Sequence, residues 1–157
     1  MTTIAYKNGI LVADTQLTSG DRKFRCEKLH RFASGDLFAG AGGLSDVLKL
    51  RRWVADGCPN ETPDFSERAD VECIWVKVDG TVLFVDQDCE PMKIIDTAVS
   101  IGSGSQYAMA AMECGLSAED AIGIAAKFDP ATSLPVMTMQ VRKPAPKIRA
   151  NKTRPMQ

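Results

Sequence analysis

The sequence predicts an α+β fold built on two packed sheets. Three observations carry that expectation. Apolar residues alternate in short segments bounded by turn residues. The predicted order is strands, one helix, more strands, two helices and a last strand. Strands are therefore grouped with strands, whereas alternating βαβ units would interleave them.

The first two strands are Thr3–Tyr6 and Ile10–Asp14, joined at Lys7-Asn8-Gly9. Asn-Gly between alternating apolar runs is the strongest short hairpin signal. A second hairpin is predicted from residues 22–32 and 36–41 around Ala33-Ser34-Gly35-Asp36. Leu44 to Ala55 follows helical spacing, with Leu44, Val47, Leu48 and Val54 on one side and Lys49, Arg51 and Arg52 mostly on the other. Gly57 and Pro59 stop it. Residues 57–70, with Pro59 and Pro63, read as a loop.

Cys73–Val78 and Thr81–Val85 alternate around Asp79-Gly80, a third hairpin, and Ala98–Ile101 forms a short strand. Gly104 to Cys114 is rich in Ala and Met and is predicted helical, with Gly115 as its stop. Ser117 is placed to cap a helix running to Lys127, contributing about 1 kcal/mol. Pro130 prevents its continuation. Val136–Val141 is the last strand.

The 157 residues fit one domain. A chain of this length buries roughly two-thirds of its unfolded surface, so it needs no metal or disulfide staple. Cys26, Cys58, Cys73, Cys89 and Cys114 are odd in number and lack CxxC spacing. With His30 the only histidine, they form no zinc set, and no metal or other cofactor is expected. A Cys26–His30 nucleophile pair is weaker than an exposed strand histidine. No apolar run approaches the ~20 residues that span a bilayer, and the N-terminus lacks a signal-peptide pattern. The expectation is a cytoplasmic protein without membrane contact.

Charge is unevenly placed. Arg142, Lys143, Lys147, Arg149, Lys152 and Arg154 fall in residues 142–157 with no acid, and removing them from the net −1 leaves −7 for residues 1–141. The expected division is a folded domain over 1–141 and a basic disordered tail over 142–157. A solvated terminus is favoured over a nucleic-acid contact.

Thr2 and Thr3 follow Met1. Methionine is commonly trimmed before a residue as small as threonine, and an N-terminal threonine carries a base for its hydroxyl in its own α-amine. Asp14 ends the second strand and Lys28 follows at short range, then FAGAGG at 38–43, IGSGSQYA at 101–108 and FDPATS at 128–133. In this order and spacing, over roughly residues 2–141, the chain resembles the proteasome β-subunit family and its bacterial relative, the HslV peptidase. No single motif is specific. Gly102-Ser103-Gly104 could equally be a strand-to-helix turn or a weak phosphate loop, and Asp14 with Lys28 an ordinary ion pair.

The resemblance implies a four-layer αββα sandwich of the N-terminal nucleophile hydrolase type. It departs from the family in having one predicted helix where relatives carry two, so one outer layer should be reduced. It implies a threonine peptidase with Thr2 as nucleophile, Lys28 lowering the pKa of the amine, and Asp14 orienting Lys28. Gly42 would supply the oxyanion N–H, and Ser103 with Asp129 would form the network around the amine, with Thr132 nearby. Gly40 and Leu44 would shape the substrate pocket, Gly40 leaving it roomy.

It also implies peptide substrates and a homo-oligomer, either a ring or an open assembly, with an ATP-dependent unfoldase as candidate partner. Apolar residues of the two later helices, among them Ala108, Ala110, Met112, Ile122 and Ile124, are expected to leave surface for a neighbouring subunit. The alternatives are a catalytically silent structural or interaction subunit of this fold and an amide hydrolase for a small substrate.

Overall fold

The structure is a computed structural model, and it describes residues 1–142. The predicted tail falls on 142–157, of which 143–157 lie outside the described residues. The chain runs β1 (Thr3–Lys7), β2 (Ile10–Asp14), β3 (Gln16–Ser19), β4 (Arg22–Arg25), β5 (Leu29–Arg31), β6 (Leu37–Ala41), α1 (Leu44–Ala55), β7 (Glu72–Val76), β8 (Val82–Asp86), β9 (Met92–Ile94), β10 (Ala98–Gly102), α2 (Ser105–Glu113), α3 (Ala118–Phe128) and β11 (Val136–Gln140).

Two antiparallel sheets form the centre. One has the order β10-β1-β2-β11 and the other β5-β6-β7-β8-β9. The period of two sorts their side chains. Ile4 and Tyr6 of β1, Leu11 and Ala13 of β2, Leu37 and Ala39 of β6, and Ile74 and Val76 of β7 meet in the core between the sheets. The intervening residues point outward. Ala5 and Val12 pack under α2 and α3 with Ala108, Met112, Ile122 and Ala125. Phe38, Cys73 and Val85 pack under α1 with Leu50, Trp53 and Val54. The layers are thus two helices, sheet, sheet, one helix. This is the αββα sandwich with one outer layer reduced, as the sequence predicts.

Ser117 caps α3 by accepting the Asp120 N–H at 3.1 Å. Lys7 of β1 donates to the carbonyls of Met112 and Leu116, both at 2.8 Å, and so ties the sheet to the end of α2.

One sequence expectation is corrected. Residues 22–32 do not form one strand. Arg22–Arg25 pairs with Gln16–Ser19 as a separate exposed hairpin, and only Leu29–Arg31 joins β6. Of the apolar helix residues, Ala108, Ala111, Met112, Ile122 and Ala125 are buried against their own sheet, whereas Ala110 and Phe128 are exposed and Ile124 is half-buried.

Candidate active site

β1 carries Thr2 to the edge of the inter-sheet space, and three contacts fix it. Register pairs Thr3 with Gly102 of β10. The Thr2 carbonyl accepts the Ser103 N–H at 2.9 Å. Gly102 has φ +89, and a Cβ there would strike the Thr2 carbonyl. Glycine is therefore required for the β10–α2 turn to lie this close to residue 2. The Gly102 N–H donates to Glu72 Oε1 of the second sheet at 2.9 Å, which locks the two sheets at this corner. Sequence reasoning missed Glu72, because nothing local marks a strand-end glutamate as a cross-sheet acceptor.

Asp14 is fully buried at the end of β2. Its carboxylate accepts the N–H of Thr3 at 3.0 Å, of Gln16 at 2.9 Å and of Ser133 at 3.4 Å. Lys28 Nζ completes the set at 2.8 Å, and the lysine side chain is 7% exposed. The break in the strand at residues 26–28 makes this pair: the chain leaves β4, and Cys26 N–H bonds the Thr15 carbonyl at 3.0 Å before Lys28 turns toward Asp14. Lys28 Nζ also donates to the Met1 carbonyl at 3.5 Å.

On the other side of residue 2, Ser103 Oγ donates to Asp129 Oδ2 at 2.6 Å and Thr132 Oγ1 donates to the same oxygen at 2.5 Å. The Ala131 N–H bonds Asp129 Oδ1 at 3.1 Å. Burial pulls the Asp129 carboxyl upward, but these donors, with the amino-terminal ammonium assisting, outweigh it and hold it below the ordinary carboxylate value. Thr132 Oγ1 lies 2.6 Å from Thr3 Oγ1, which accepts the Gly104 N–H at 2.9 Å. Thr3 is thereby committed to structure. The Thr2 hydroxyl has no hydrogen-bond partner among the described residues.

Thr2 and Lys28 open on a cleft of about 520 Å³ that Gly40, Gly42 and Leu44 also line. Gly42 has φ +128, and a Cβ there would collide with the Asp70 carbonyl and approach Val71 Cα to 2.9 Å. The space over Gly40 is not empty as predicted, since a Cβ at Gly40 would stand 2.7 Å from Val47 Cγ1. The eight predicted site residues, Thr2 among them, therefore divide between the cleft and its support. Five line the cleft, and Asp14, Ser103 and Asp129 support it from behind. His30 also lines the cleft, but its partner is Arg51 rather than Cys26. No group among the described residues could hold a metal ion, and no described helix is long and apolar enough to cross a membrane.

No protein-family model matches the chain, and no curated protein matches its sequence. Solved structures do match. HslV from Trypanosoma brucei is 22% identical, with 88% of this chain and 98% of that chain covered and a TM-score of 0.64. BPH from Thiobacillus denitrificans is 20% identical, covering 90% of this chain and 98% of that one at a TM-score of 0.64. The same protein in complex with epoxomicin matches equally. The chain has the HslV fold. Nearly the whole length of each neighbour is covered by the match. The fold agrees with the resemblance drawn from the motifs at 2–3, 38–43, 101–108 and 128–133.

Proposed function

We propose that this chain is an N-terminal threonine peptidase that acts once Met1 has been removed. The observation that supports it most is the placement of Lys28. Its ammonium, held by the buried Asp14, lies 3.5 Å from the Met1 carbonyl oxygen. That carbonyl carbon is bonded directly to the Thr2 nitrogen. Trimming Met1 would leave the Thr2 amine beside a fixed cation on one side and the Ser103–Asp129 pair on the other.

The chemistry follows from those neighbours. The Lys28 charge disfavours protonation of the Thr2 amine and so keeps a fraction of it basic at working pH. The amine takes the Oγ proton as Oγ attacks the peptide carbonyl, then passes the proton to the leaving amine. Water hydrolyses the resulting ester by the same relay in reverse. The Gly42 N–H, in the cleft wall beside Thr2, is assigned to the oxyanion; the absence of a side chain lets substrate approach the backbone. Asp129 carries negative charge beside the new ammonium and orients Ser103 toward it.

The likeness to HslV and to the epoxomicin-bound BPH supports a peptidase of this type, and with it a homo-oligomer fed by an ATP-dependent unfoldase. If Met1 stays in place, the amine is held in a peptide bond and Oγ lacks its base. The silent-subunit alternative therefore separates from the peptidase on the mass of the mature chain. Turnover of fluorogenic peptides by wild type and by Thr2→Ala tests the chemistry: equal rates would sink it.

A further inference from the structure

The cleft contains a cation that the proposed mechanism does not use. Arg51 of α1 lines it together with His30 of β5. Arg51 is half-buried, and its guanidinium donates to His30 Nε2. Among the described residues it has no other hydrogen-bond partner and no carboxylate within ion-pair distance. A guanidinium has five N–H donors, so most of its capacity is unspent and faces the cleft.

The surroundings favour an anion at this point. Three carboxylates share the cleft lining, Glu27, Asp46 and Asp70. Asp46 is taken up by Ser66 and Lys49. Glu27 and Asp70 are exposed, whereas Arg51 and His30 are both half-buried, and Arg68 adds a second cation at the exposed rim. Burial, first, and then the Arg51 charge hold His30 below its ordinary pKa, against a weaker upward pull from Glu27. The neutral imidazole therefore serves as the acceptor that fixes the guanidinium. Asp46, the buried carboxylate of this lining, is already engaged, so the unspent Arg51 donors are left for a ligand.

Spacing along the chain sets the scale. Lys28 and His30 both line the cleft and are two residues apart, a separation of at most roughly 6–7 Å of chain. Arg51, bonded to His30, thus lines the same cleft as Thr2, with Phe38 and Val47 among its other walls.

We propose that Arg51, fixed by His30, selects peptides carrying a glutamate side chain on the acyl side of the cut. This rests on the peptidase reading, and the test separates the two. Matched fluorogenic peptides with Glu, Gln or Leu at that position are given to the full chain and to Arg51→Gln. Glu and Gln are nearly isosteric, so their kcat/KM ratio isolates charge recognition from fit and from folding. Wild type should favour Glu over Gln, and Arg51→Gln should lower that ratio at least about tenfold. Cleavage of the Leu peptide with no Glu-over-Gln preference would overturn the inference and leave the peptidase reading standing. Calorimetric binding of short peptides ending in Glu or Gln provides a readout free of turnover. Tighter binding of the Glu peptide, lost in Arg51→Gln, supports the pocket even if no peptide is cut; equal binding by both proteins overturns it.

Discussion

Replacing Asp14 should damage this protein more than replacing Lys28, although the two form one ion pair. Asp14 is fully buried and gathers three backbone N–H groups as well as Lys28. In Asp14→Ala the Thr3 and Gln16 amides lose close partners, each leaving a buried donor that costs about 1–3 kcal/mol. Lys28 also loses its counter-ion, but its tip faces the cleft and can be hydrated. The expected loss is about 4–6 kcal/mol. Lys28→Met leaves a buried carboxylate that keeps its amide donors, and about 2–4 kcal/mol is expected. At about 2–4 °C per kcal/mol for a chain of this size, these losses mean Tm decreases of roughly 8–24 °C and 4–16 °C. Urea titration with thermal melts measures both. A larger loss for Lys28→Met, or losses under about 1 kcal/mol for both, would refute the claim that Asp14 pins the β1–β2 corner. Activity should behave differently: each change alone should remove most of it, and the pair should cost far less than the product of the two.

Thr2→Ala should abolish peptide turnover while shifting stability by less than about 1 kcal/mol, because the hydroxyl it removes has no partner; circular dichroism melts check this. Gly42→Ala should destabilise by about 1–3 kcal/mol or more, since φ +128 is strained for alanine and its Cβ collides with the Asp70 carbonyl; urea midpoints measure it. Asp129 has its folded pKa depressed, so its contribution to stability is present above the unfolded value near 3.8 and is lost as pH falls below it; Asp129→Asn should flatten that acid limb in melts between roughly pH 5 and 3, the window about the ordinary carboxylate pKa. Light scattering of the full chain and of one ending at Val141 should give the same oligomeric mass, and a monomeric mass for both would count against the assembly.

The sandwich was readable because its central strands alternate without interruption. Leu37, Ala39 and Ala41 point one way and Phe38 the other, and each face finds its own core. The hairpin at 16–25 was not readable. Its second strand, Arg-Lys-Phe-Arg, is wholly exposed and pairs only with β3, so no buried face marks its end. Alternation continues through Phe24, Cys26 and Lys28, which hides the break where the chain turns to deliver Lys28. β9 was missed because Met92–Ile94 is a short edge strand with little burial. In the site, Asp14, Lys28 and Asp129 were recoverable from motif order. The contacts of Glu72 with Gly102 and of Arg51 with His30 were not, because each joins elements that are distant in sequence through a single side chain.

The state of residue 2 is read directly by mass spectrometry. The intact mass is taken before and after incubation with epoxomicin, and the modified peptide is sequenced. The expected result is a chain that begins at Thr2 and gains one adduct, carried by Thr2 and absent from Lys28→Met. A chain that keeps Met1 and gains no adduct would contradict it.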